Sequence, residues 1–176
     1  MHIFISGPRN IGKSTLVRRT VGRLTDHFEL KPGGFSTYPG LGNDLDIYMS
    51  PYCEIRKYND LHRIAKRNLH KVVGIPEVFN TLGVSILHNS QEYADLICMD
   101  ELGFLENDAL QFQTAVVECL NGNIPILGVI KEVYVPWYDI IKNHPKVELI
   151  SITLENRNTL IDKIVQKIMV SLQKNI

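Results

Sequence analysis

Cysteine is scarce in this chain, charge of either sign is in no excess, and no apolar run is long. Cys53, Cys98 and Cys119 are odd in number, widely spaced and free of any C-x-x-C pair. That pattern argues against a disulfide framework and against a cysteine-built zinc site. Lys plus Arg number 19 and Asp plus Glu number 19, so the formal net charge is zero. The whole chain therefore has no electrostatic bias toward nucleic acid or an anionic membrane. No apolar run approaches the ~20 residues that a bilayer-spanning helix needs. The first residues read directly as a strand, which leaves no room for a signal peptide and makes the cytoplasm the expected compartment. The six histidines are scattered with no H-E-x-x-H, so a protein-built metal site has no support. Repeats and low-complexity segments are missing as well. What is left, 176 residues at 44% hydrophobic and 22% charged, is the composition of an ordinary globular protein. One domain over residues 1–176 is expected.

The N-terminal stretch is the most informative. His2 to Ser6 carries Ile3, Phe4 and Ile5, which suits a buried strand. Gly7, Pro8, Arg9, Asn10, Ile11, Gly12, Lys13 and Ser14 then match G-x-x-x-x-G-K-S/T without a departure. Leu16, Val17, Thr20, Val21 and Leu24 recur at helical spacing, so a helix is expected to begin near Lys13. The glycines let successive backbone N–H groups point inward, and the helix N-terminus adds its positive end. In such a loop Lys13 reaches the β- and γ-phosphates and the Ser14 hydroxyl takes a place on Mg²⁺.

Further along, strand and helix signals alternate. Lys31 to Asn43 is rich in Gly and Pro and reads as turns around a short strand, with Leu45 to Met49 as its hairpin partner. Pro76 to Gln91 has helical spacing, with Pro76 in the first turn. Ala94 to Met99, Pro125 to Ile130 and Val147 to Ile152 read as buried strands. Asn107 to Leu120 and Glu155 to Leu172 read as helices. Short alternation of this kind means an α/β domain with a mainly parallel sheet, whose ligands bind at the carboxyl ends of the strands.

The strand Leu96-Ile97-Cys98-Met99 ends in Asp100-Glu101. A carboxylate there, beside a phosphate loop, holds Mg²⁺ directly or through water, which is the role expected of Asp100. Glu101 is expected to orient or deprotonate a water for attack on the γ-phosphate. Glu106, in the same loop, reads as a solvated acid or as a further member of the site.

Four segments, in this order, carry a family resemblance: GPRNIGKSTL, GGFST (Gly33 to Thr37), DELGFLE (Asp100 to Glu106) and TLENRNTL (Thr153 to Leu160). With them the chain resembles the THEP1-type nucleoside-triphosphatase family of P-loop proteins. The resemblance implies a three-layer, RecA-like α/β core and Mg²⁺-dependent hydrolysis of several nucleoside triphosphates (ATP, GTP, CTP, UTP) with little base preference. It carries phosphate binding onto Gly7 through Thr15, and metal and water handling onto Asp100 and Glu101. It also marks Asn156 and Arg157 as nucleotide-proximal. Two departures stand out: Phe104-Leu105 replaces the family's usual Pro-Met pair, and residues between Met49 and Pro76 carry no resemblance.

Several residues keep two readings. Arg157 either meets the nucleotide, by stacking or by neutralising phosphoryl charge, or pairs with Glu155. Arg9 touches phosphate or points to solvent. Arg56, Lys57, Arg63, Lys66, Arg67 and Lys71 crowd one stretch opposed only by Asp60. They read as a solvated face, or as a flap that greets polyphosphate or RNA. Trp137 in VPWYD reads as core packing ahead of base stacking. A hydrolase leads. A P-loop kinase with a nucleotide, nucleoside or RNA acceptor and a slow nucleotide-gated binding protein are the alternatives. No N-K-x-D base motif supports a guanine-specific switch.

Overall fold

Side chains alternate across the apolar strands, and this alternation builds two cores. In the computed structural model, which describes residues 1–68 and 70–173, eight strands form one sheet. They are β1 (His2–Ser6), β2 (Pro32–Pro39), β3 (Ile47–Pro51), β4 (Arg63–Arg67), β5 (Val72–Gly74), β6 (Leu96–Leu102), β7 (Ile126–Ile130) and β8 (Val147–Ser151). The helices are α1 (Lys13–Phe28), α2 (Pro76–Val78), α3 (Val84–Tyr93), α4 (Leu110–Asn121), α5 (Tyr138–Lys142) and α6 (Leu160–Gln173), with a wider π-type segment, Phe79–Gly83, between α2 and α3. Ile3, Ile5, Cys98 and Val129 face α1 and α6. Phe4, Ile97, Met99 and Ile130 face α3, α4 and α5. The result is the expected three-layer α/β architecture.

The strand order is β5-β4-β3-β2-β6-β7-β1-β8. Strands β2, β6, β7, β1 and β8 run parallel, whereas β3, β4 and β5 extend the sheet antiparallel. In the parallel part the segments after β1, β6, β7 and β8 all leave from the same edge. That edge carries the site.

Among the boundaries that differ from expectation, three have a visible cause. The Gly/Pro-rich stretch contains an eight-residue strand, β2, in place of turns around a short one. Gly34, at φ 87°, fits there because a Cβ would run into the Cys98 carbonyl of β6. Its N–H donates to Ser90 Oγ on α3 (2.7 Å), and the Ser90 hydroxyl donates to the Ile86 carbonyl (2.6 Å). Helix α4 begins at Leu110 rather than Asn107, and the Phe112 N–H finds its acceptor in Asn80 Oδ1 (3.1 Å). Helix α6 begins at Leu160 rather than Glu155 because Asn156 ties the preceding turns to the end of β8. Its Nδ2 donates to the Ser151 carbonyl (3.0 Å), and its Oδ1 accepts from the Thr153 N–H (2.8 Å).

Candidate functional site

The segment Gly7 to Gly12 joins β1 to α1 through left-handed backbone at Gly7, Asn10 and Gly12 (φ 152°, 63° and 107°). Gly7 also sits against the end of β8, where a Cβ would come within 2.7 Å of Ile152 Cγ2. Helix α1 has no side-chain cap at its N-terminus and no acid in its first turn. Its first N–H groups thus keep their capacity for an anion, and the helix dipole favours one. Lys13 is buried, and its Nζ donates to the carbonyls of Gly7 (2.6 Å) and Pro8 (2.9 Å). The ammonium lies against the concave side of the loop. Arg9, Asn10, Ser14 and Thr15 are exposed along the loop and the first turn, and Ile11 is half-buried.

Strand β6 continues through both acids to Leu102, and the peptide between Asp100 and Glu101 is cis. Asp100 pairs in register with Ser36 of β2 and accepts a hydrogen bond from the Ser14 hydroxyl at 2.8 Å. Burial pushes the Asp100 carboxyl up to about 6, against the pull of the Ser14 bond. Glu101 is half-buried; its N–H donates to Thr37 Oγ1 (3.3 Å), and its Oε1 lies 2.9 Å from Lys131 Nζ. Thr37 belongs to the GGFST segment, so three of the four motif segments meet here.

A family model described as NTPase matches residues 2–165. The chain belongs to this NTPase family. It is 27% identical over 176 residues to the nucleoside-triphosphatase THEP1 of Methanocaldococcus jannaschii, covering 98% of this chain and 100% of the relative. A second relative, the nucleoside-triphosphatase THEP1 of Thermotoga maritima, is 26% identical over 93% of each chain. Among solved structures, the crystal structure of THEP1 from the hyperthermophile Aquifex aeolicus superposes with a TM-score of 0.77 at 23% identity. That match covers 96% of this chain and 99% of the other. The solution structure of a human cancer-related nucleoside triphosphatase gives the same TM-score and identity, covering 97% and 98%. At these identities the structures establish the fold.

Within this NTPase the remaining candidate residues are spread unevenly. Arg157 is exposed in the turns after β8 rather than at the start of a helix, with its N–H donating to the Thr153 carbonyl (3.1 Å). It shares the carboxyl edge with the loop from Gly7 to Gly12. Glu106 is not a solvated acid: at 2% exposure it accepts the Gly103 N–H (2.5 Å), and burial raises its carboxyl to about 8. The basic stretch includes Leu69, which lies outside the described residues. It contributes β4, where Arg63 pairs with both Asp46 (3.2 Å) and Asp60 (2.5 Å), while Lys57 pairs with Glu54 (3.3 Å). Sequence reading therefore undercounted the opposing acids. Trp137 is buried beside Tyr138, as core packing predicts. Lys131 was not singled out. The available signal was a lone cation directly after an apolar run, which acquires meaning only once β7 is known to lie between β6 and β1.

Proposed function

We propose that the chain is a Mg²⁺-dependent nucleoside-triphosphate hydrolase that releases the γ-phosphate and discriminates little between bases, with residues 1–176 acting as one domain. The observation that carries this reading is the 2.8 Å bond between Ser14 and Asp100. It joins a hydroxyl at the start of α1 to a buried carboxylate on β6, two hard oxygen donors at one point beside a phosphate loop. This donor set fits Mg²⁺, which takes one or two carboxylates and fills its other positions with water and phosphate oxygens. Among the described residues no cluster of three or more His, Cys, Asp or Glu offers a protein-built cage instead. The chemistry Mg²⁺ supplies when bound is neutralisation of charge on the phosphate oxygens.

The chain's own groups do the rest. The main chain from Gly7 to Gly12, with the N–H groups of Lys13, Ser14 and Thr15, wraps the phosphates. Lys13 exchanges its bonds to the Gly7 and Pro8 carbonyls for phosphate oxygens and stabilises charge as the bond to the leaving diphosphate lengthens. Glu101, one residue beyond Asp100, orients a water in line with the γ-phosphoryl group and accepts its proton. Arg157, exposed on the same edge, lies toward the nucleoside, where a cation contributes stacking that every base can accept. The relatives named as nucleoside-triphosphatases support this reading, and the free thiols of Cys53, Cys98 and Cys119 suit the cytoplasm. No helix among the described residues is long and apolar enough to cross a membrane.

The test is phosphate release from ATP, GTP, CTP and UTP, with Mg²⁺ and with EDTA, in wild type, Lys13→Ala and Glu101→Ala. Release from all four, lost in EDTA and reduced about 10²–10⁴-fold in both variants, is the expected outcome. Release that requires a nucleoside, nucleotide or RNA acceptor would make the chain a kinase instead.

A further inference from the structure

We propose that Lys131 is a positioning residue for Glu101, clamping the carboxylate that faces the attacking water. This rests on the hydrolase reading above. Strand β7 lies between β6 and β1 in the sheet, so the residue after its end emerges between the acid pair and the phosphate loop. That residue is Lys131. Its N–H donates to the Leu102 carbonyl (3.0 Å), which carries the β6–β7 pairing past the end of β7 and fixes where the side chain departs. The stem then runs across Gly103, where a Cβ would stand 3.2 Å from Lys131 Cδ. Beyond it the ammonium lies 5.5 Å from the centre of the Phe104 ring and 2.9 Å from Glu101 Oε1.

The ammonium has two acids nearby, and their environments separate them. Glu106 is buried with its carboxyl raised to about 8, so at neutral pH it is largely uncharged. The acid it touches is Glu101, whose side chain is only 25% exposed, against 30% for Lys131. The effect of the pair lies in geometry. A glutamate has three rotatable bonds, and a general base acts only when an oxygen sits within hydrogen-bond reach of the proton it takes. Lys131 holds Oε1 and so fixes where Oε2 is presented to water. Loss of such placement by about 1 Å costs up to about 10²-fold in rate.

The experiment is a double-mutant cycle on kcat and KM for MgATP: wild type, Lys131→Met, Glu101→Gln and the double variant, with Lys131→Arg as the charge-conserving control. Lys131→Met is expected to lower kcat about tenfold or more while KM stays within about twofold. Lys131→Arg recovers most of the loss, and the double variant is no slower than Glu101→Gln alone. Additive losses in the double variant, an unchanged kcat, or an effect confined to KM would each overturn the assignment. Wild-type turnover in Glu101→Gln would instead defeat the role given to Glu101 itself. Should Lys131→Met lack the wild-type circular dichroism spectrum and melting transition, Lys131→Gln, which keeps the stem across Gly103, carries the same cycle.

Discussion

Glu106 shows how much the surroundings of one residue decide. By type it is a loop carboxylate; by position it is enclosed, with the Gly103 N–H as donor. Desolvation dominates and raises its carboxyl from 4.5 to about 8. Below pH 4.5 the folded and unfolded chains both hold the proton. Between 4.5 and 8 the unfolded chain releases it while the folded chain retains it, so stability falls as pH rises through that window. The size of the fall is on the order of a few kcal/mol. Asp100, raised to about 6, contributes with the same sign. Urea unfolding of wild type is therefore expected to show a lower midpoint at pH 8 than at pH 5. Glu106→Gln, neutral throughout, should flatten most of that slope, and an unchanged slope would remove Glu106 as its source.

At the scale of elements, apolar periodicity was legible where an element is covered by its own sequence pattern and illegible where a neighbour supplies the reason. Strand β1 has the bounds, and helix α1 the start, that their residues predict. Strands β4 and β5 fall in the stretch between Met49 and Pro76, which carries no family resemblance and reads as a basic run, not as strand. Their stability comes from antiparallel pairing, β4 on β3 and β5 in turn on β4, which no periodicity within either strand reveals. Helix α4 depends on long-range contacts in the same way. Phe112 is fully buried between Phe35 of β2 and Phe79 of the π-type segment, with ring centroids 5.6 and 5.2 Å away. Phe112→Ala should cost about 3–5 kcal/mol, read from the shift in denaturant midpoint at an unchanged m-value. A cost under 1 kcal/mol would mean that α4 is anchored elsewhere.

For the whole molecule, membership of the NTPase family makes a nucleoside triphosphate the ligand to expect. Arg63 and Lys57 are engaged by neighbouring acids, which reduces the charge that the basic stretch presents to a polyanion. On the proposed reading, a nucleotide held by the loop from Gly7 to Gly12 ties β1 and α1 together and favours the folded state by mass action. At a MgADP concentration of 100 times Kd the stabilisation is about 2.7 kcal/mol. For a chain of this size that corresponds to roughly 5–10 °C in Tm. Differential scanning fluorimetry should show this rise with ADP, GDP, CDP and UDP, and Lys13→Ala should lose it. No rise with any nucleotide would count against the loop as a phosphate site.

The sequence by itself determined the glycine-rich turn between a strand and a helix, the α/β class and the family. Each of these is a local pattern that depends on spacing along the chain: glycines that free the backbone, a lysine and serine at the helix start, apolar runs that become buried strands. Only the tertiary structure decided that Ser14 and Asp100 meet, that Glu106 is enclosed, and that Lys131 reaches Glu101. Those facts depend on strand order and on which groups lose water. A chain read in one dimension shows which groups are present, while their distance and dielectric surroundings arise when β6, β7 and β1 lie side by side.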